Sequence, residues 1–240
     1  MARPYELVTL AHAGLRGEVV DRLGPSDRAR LAALDDARRA RFLAGRSAVL
    51  AAVARLVGVP ARAFTVDACC PECGGPHGRP EVVGGGARVH VGIAHAAGRT
   101  FAVASRSRIG LDAEPLGTPS ERLEAIRHVT GHRGGDPLER WTATEAILKA
   151  DGRGLRVDPR AVLVGRRCGR VSDRDTRYRL HRDRDLAGCV VTIAWTDQRD
   201  LGCGSGGSSV SSSHASNSAS SGSSANPAAC ERKSEVDTAP

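Results

Sequence analysis

Apolar residues recur at helical spacing through residues 26–57, among them Leu31, Leu34, Phe42, Val49, Leu50 and Val53. A break near Asp35 predicts two helices, and Gly58 with Pro60 stops the second. Short apolar runs predict strands at 6–11, 88–94, 100–106 and 109–114, that at 88–94 with clean alternation. Between them, residues 68–87 are rich in Cys, Gly and Pro and read as a loop. Helical spacing returns at 120–129 and 137–150. The second has a strong start signal, with Asp136 as N-cap, Pro137 at the first helical position and Glu139 closing a capping box. Gly152 is placed to end it. Further strands are predicted at 161–165, 177–180 and 188–195. From Gly202 onward the chain is Ser/Gly/Ala-rich with almost no apolar bulk, which predicts a disordered tail. Helices mixed with antiparallel-looking strands make the fold class α+β.

Composition narrows the function. A chain of 240 residues holds one large or two small domains, and with aromatics at 3% the core must come from Ala, Val, Leu and Ile. No apolar run approaches a membrane span, since the longest candidate, 47–60, contains Arg55. The N-terminus lacks the apolar stretch of a signal peptide, and seven irregularly spaced cysteines suit a reducing cytoplasm better than a disulfide framework. The net charge of +8 implies an anionic partner: nucleic acid, a polyphosphate ligand or an acidic protein. Of the 35 basic residues only Lys149 and Lys233 are lysines. A lysine in the middle of a predicted helix is therefore unexpected, and its compact charge does what arginine does not.

That lysine belongs to the most informative part of the chain. At a strand end, Asp112 and Glu114 are two apart and project to one side. Trp141, Glu145 and Lys149 are four apart on one helix face. Three carboxylates and a lysine suit a hard cation such as Mg²⁺, which completes its shell with water and substrate phosphate. Each pair alone has a plainer meaning: an exposed strand end before Pro115, and an ordinary helix salt bridge. Trp141 alone reads as a packing residue. In the loop, Cys70-x-x-Cys73 (preceded by Cys69) lies close to His77, but no second cysteine pair completes a structural zinc motif.

Taken together, Gly110-x-Asp112-x-Glu114 and Trp141-x-x-x-Glu145-Ala146-x-x-Lys149-Ala150-x-Gly152-x-Gly154-Leu155 resemble the 4′-phosphopantetheinyl transferases of the surfactin-synthetase-activating type. Arg41-Phe42-Leu43-Ala44-Gly45-Arg46, His77-Gly78-Arg79-Pro80 and Ile93-Ala94-His95-Ala96 resemble further motifs of that family, in its order. The resemblance covers about residues 26–195. It implies two similar α+β halves, 1–106 and 107–200, with the active site in the cleft between them and residues 201–240 as the tail. It implies transfer of the 4′-phosphopantetheine arm of coenzyme A to a serine of an apo acyl or peptidyl carrier protein. The implied metal ligands are Asp112, Glu114 and Glu145, holding Mg²⁺. Glu145 and Lys149 would be catalytic, while Arg46, Arg79, His95 and Lys149 would contact coenzyme A, with Arg30 a weaker candidate. A monomer is expected.

Three positions depart from the family pattern. Thr144 stands where many relatives have lysine, and Ala94 and Ala96 replace serines beside the histidine. The expected cost is a missing cation and a missing hydroxyl at the coenzyme. Two rival readings stay open, a catalytically inert coenzyme A-binding relative and a small basic nucleic-acid-binding protein. Scarce aromatics and the absence of a basic region free of acids weigh against the second.

Overall fold

The computed structural model describes residues 3–12, 17–86, 88–131 and 134–197. In chain order the elements are β1 (Tyr5–Ala11), α1 (Pro25–Ala32), α2 (Asp36–Val57), β2 (Phe64–Asp67), β3 (Glu81–Gly84), β4 (His90–Ala96), β5 (Arg99–Ser105) and β6 (Ile109–Pro115). They continue as α3 (Ser120–Thr130), α4 (Pro137–Asp151), β7 (Val162–Val164), β8 (Cys168–Val171), β9 (Tyr178–Leu186) and β10 (Cys189–Thr196). The fold is mixed α+β, with antiparallel sheets ordered β1-β5-β4 and β6-β10-β9-β8-β7 and a separate β2-β3 pair.

Each large sheet carries one long helix. The Asp35 carboxylate accepts from the Arg38 amide at 2.8 Å to start α2, and Gly58 ends it at φ +75°. Val49, Leu50 and Val53 of α2 pack with Val8, Ala102 and Ala104 of the first sheet and with Phe64 and Val66 of β2. Ala146 and Ile147 of α4 pack on Val162, Val171 and Tyr178 of the second sheet. A third cluster, including Tyr5, Phe101, Val103, Ile109, Leu111 and Ile193, joins the two sheets. There β4 meets β6 closely. A Cβ on Gly92 would lie 3.4 Å from the Leu111 amide and 3.6 Å from the Gly110 Cα.

The structure corrects several expectations. Residues 81–84, inside the expected loop, form β3 and pair with β2, which the apolar pattern does not announce. Four-residue strands are too short for alternation to stand out. The strand β8 was likewise missed, having Val171 as its one large apolar residue, and β9 runs on to Leu186 through charged positions. Asp136 caps α4 through the Leu138 amide at 2.8 Å, but Glu139 closes no box. Its carboxylate pairs with Arg184 at 2.7 Å instead. The tail expected at 201–240 lies outside the described residues. Among the described residues no helix is long and apolar enough to cross a membrane.

Candidate functional site

Gly110 sets the distance between α4 and β6. A Cβ there would fall 2.1 Å from the Ala146 carbonyl oxygen and 2.4 Å from the Ala150 nitrogen, so the helix can lie this close only over a glycine. Two residues on, Asp112 faces the helix. The Lys149 ammonium donates to Asp112 Oδ1 at 2.6 Å and stands 3.5 Å from Glu145 Oε2. Buried Thr192, opposite Asp112 on β10, meets the Thr142 hydroxyl of α4 at 2.8 Å and fixes the helix from the other side.

Asp112 is 7% exposed, and its Oδ2 has no hydrogen-bond partner. Burial pushes its carboxyl up to about 7; Lys149 opposes that shift, and the charges of Glu145 and Glu114 reinforce it. Burial alone would lower the Lys149 pKa, but Asp112 and Glu145 outweigh it and the net direction is upward. Asp112 moves upward because one of its two oxygens is desolvated with no donor to replace water.

Glu114 projects on the same side. Its Oε1 accepts from Arg122 at 2.7 Å and from the Trp141 indole N–H at 3.2 Å. Trp141 therefore packs, beside Ile126, Leu138 and Val190, and also orients a carboxylate. The three acids share one face but do not converge on a point, since Lys149 stands by Asp112 and Glu145 while Arg122 holds Glu114. Their donors are all oxygen, and the orphaned Asp112 Oδ2 is the kind of atom a hard cation satisfies, so the donor chemistry, though not a converged ligand set, suits Mg²⁺.

His95 lies on β4 beneath α2, where a Cβ on Gly45 would be 3.3 Å from its ring. Its Nδ1 is 2.8 Å from the Thr100 hydroxyl, which also meets His12 Nε2 at 3.1 Å. Burial first, then the positive charges of Arg41, His12, Arg46 and Lys149, lower its pKa to about 3. The imidazole is neutral at neutral pH and sits in a positive field that an anion would relieve. Arg79 donates to the Val91 carbonyl at 3.4 Å and the Ile109 carbonyl at 3.0 Å, tying β4 to β6. It also lines a cleft of about 460 Å³ with Arg88, His90, Arg108 and Arg174, beside the end of α4 at Ala150 and Asp151.

The structure therefore brings Asp112, Glu114, Glu145 and Lys149 together, with His95 inside the field of Lys149. Arg46 is placed differently. Its Nε and one Nη donate to the two oxygens of buried Asp27 at 2.5 and 2.6 Å, and its guanidinium stacks on Phe42 at 4.6 Å. Arg30 also lies over the Phe42 ring, at 5.7 Å. The three departures change meaning as well. Ala94 and Ala96 alternate with His95 and pack into the apolar cluster between the sheets, so serine there would not stand beside the imidazole. Thr144 is fully buried with its hydroxyl unpartnered, so no surface cation is missing at that position.

The sequence did not reveal Arg122, Arg41 or His12 as neighbours of the site. Two of these are arginines in a chain with 33 arginines, where one more carries no signal. Asp151 was also missed. It accepts from the Tyr178 hydroxyl at 3.2 Å and from Arg153 at 2.5 Å, and so anchors the turn after α4. No protein-family model matches the chain, and no curated protein matches it.

Proposed function

We propose that this chain transfers the 4′-phosphopantetheine arm of coenzyme A to a serine hydroxyl of an apo acyl or peptidyl carrier protein, releasing adenosine 3′,5′-bisphosphate. One observation carries the reading: a buried aspartate with an unpartnered oxygen, beside a lysine and two further carboxylates on one face. The ordered resemblance supports it. In this reading 1–106 and 107–200 are the two halves, and coenzyme A lies between them. The helix-on-sheet pairing of α2 with β1-β5-β4 and of α4 with β6-β10-β9 supports that division.

Asp112, Glu114 and Glu145 would hold Mg²⁺, which when bound neutralises charge on the transferred and leaving phosphates. Glu145 takes the serine proton as the hydroxyl attacks phosphorus and the phosphoanhydride bond breaks. Lys149, held charged by its carboxylate neighbours, compensates the charge that develops on the leaving phosphate. The arginines of the cleft beside Arg79 suit phosphate through their planar forks. The acidic surface expected of a carrier protein suits the +8 chain, and attraction between them would weaken with salt. A monomer acting in the cytoplasm is part of the same proposal.

The test is intact-mass spectrometry of several apo carrier proteins after incubation with the chain, coenzyme A and Mg²⁺. A phosphopantetheine mass gain that disappears with EDTA and with Glu145→Ala is the expected result. Coenzyme A binding without transfer to any carrier would overturn the reading in favour of an inert binder.

A further inference from the structure

The loop before Arg79 holds a second cluster, with different chemistry. Among the described residues, Cys70, Cys73 and His77 are the group of three metal-ligating side chains whose donor atoms all lie within 4.8 Å of one another. Cys73 Sγ is 3.0 Å from His77 Nε2. The backbone is wound around these donors. Gly74 N donates to the Cys70 carbonyl at 2.8 Å, Cys70 N to the Gly75 carbonyl at 2.9 Å, and Gly78 N to the Ala68 carbonyl at 2.7 Å.

Two glycines are required by this winding. Gly74 sits at φ +72°, and a Cβ on Gly78 would fall 2.1 Å from the Cys69 carbonyl oxygen. Amides also face the sulfurs. Gly75 N donates to Cys73 Sγ at 3.4 Å, and the backbone N–H groups of Cys73 and Glu72 hydrogen-bond the Cys70 thiol. Such N–H groups favour the thiolate, the form that ligates metal.

We propose that Cys70, Cys73 and His77 form a zinc(II) site, separate from the carboxylate cluster and beyond the reaction proposed above. Two thiolates and an imidazole select a borderline-soft ion of tetrahedral habit and disfavour Mg²⁺ or Ca²⁺, which take oxygen. Two thiolates also balance the charge of the ion. Three protein donors leave a fourth position for water, since the Cys69 thiol turns to the Gly74 carbonyl at 3.5 Å and lies outside the group. The loop is already fastened at one point, where Glu72 pairs with Arg156 at 2.5 Å beyond α4. A metal at its centre would fasten the rest, and with it the approach of Arg79 to the cleft.

The test uses the full chain, kept reduced by a phosphine and stripped with a chelator. Titration with Co²⁺ is followed by absorbance, then Zn²⁺ is added. The expected result is one Co²⁺ per chain with thiolate charge-transfer and tetrahedral ligand-field bands, bleached by Zn²⁺ and untouched by excess Mg²⁺. Cys73→Ser and His77→Ala should each weaken binding by more than about tenfold, while Cys168→Ser leaves it unchanged. Circular dichroism confirms that the variants are folded. The absence of thiolate–cobalt bands in the parent chain overturns the proposal, as does equal affinity in Cys73→Ser. Because Mg²⁺ does not compete here, failure of this site and failure of the transferase reading are read separately.

Discussion

Two buried aspartates, each held by a cation, look alike until each oxygen is counted. Asp27 accepts from Arg46 on both oxygens, in a fork that matches the carboxylate edge to edge. Asp112 accepts from Lys149 on one oxygen and leaves the other with nothing. Burial raises the pKa of both. The difference lies in the donor: a guanidinium satisfies both oxygens of a buried carboxylate, whereas this ammonium satisfies one and leaves the other buried and unpartnered. The first arrangement holds α2 against the start of α1, and the second leaves one buried oxygen without a partner.

The largest expected effect tests the clasp. Arg46→Ala leaves Asp27 buried and uncompensated, which should cost about 3–5 kcal/mol of stability in chemical denaturation. A variant as stable as the parent but poor in coenzyme A binding would move Arg46 from the clasp to the ligand. Next comes the contact that creates the site. Gly110→Ala pushes a methyl group into the α4 backbone and should cost about 1–3 kcal/mol. Transfer activity should fall more steeply than stability, because α4 carries Lys149 and Glu145 away from Asp112. Activity in a folded G110A variant equal to the parent would sink this account of the spacing.

The third prediction concerns Asp112 itself. Its folded pKa of about 7 lies above the unfolded value of about 3.9, so its contribution favours folding at low pH and is lost as pH rises through 7. Asp112→Asn removes that loss. Relative to the parent, the variant should gain stability progressively between about pH 4 and 7 and level off above that by thermal denaturation, while transfer is abolished. The proton and Mg²⁺ compete for the same carboxylate, so Mg²⁺ affinity by calorimetry should rise about tenfold per pH unit below 7 and level above it. An affinity flat in that range would place the metal elsewhere. The smallest effect is that of Arg122→Ala. Its pair with Glu114 is half exposed, so stability should change by less than about 1 kcal/mol. A few-fold change in activity would show that Arg122 restrains Glu114, and no change would show that the Trp141 N–H suffices.

Much of this was legible in the chain. The long helices and the break at Asp35, the cap at Asp136, the closing glycines at 58 and 152, and the strand that carries Asp112 follow from local periodicity and turn chemistry. So did the shared side of Asp112 with Glu114 and of Glu145 with Lys149, because strand and helix repeats place them before any tertiary contact exists. The strand expected at 88–94 stops one residue short of His95, which β4 includes. The short strands β2, β3 and β8 were not legible, since their pairing depends on partners distant in sequence rather than on their own pattern. The pairing of Arg46 was not legible for the same reason. Its partner Asp27 sits on another helix, and among so many arginines only packing singles one out.

By itself, then, the sequence determined which side chains share a face of each element, because backbone geometry imposes periods of 3.6 and 2.0 wherever the element forms. Tertiary structure alone decided how those faces meet. It laid α4 on β6 over Gly110, so that a lysine reached one oxygen of a buried aspartate and not the other. It turned Ala94 and Ala96 away from His95, and it drew two cysteines and a histidine into one turn. Contacts across elements depend on close packing to within a few tenths of an ångström, and no local pattern encodes such distances.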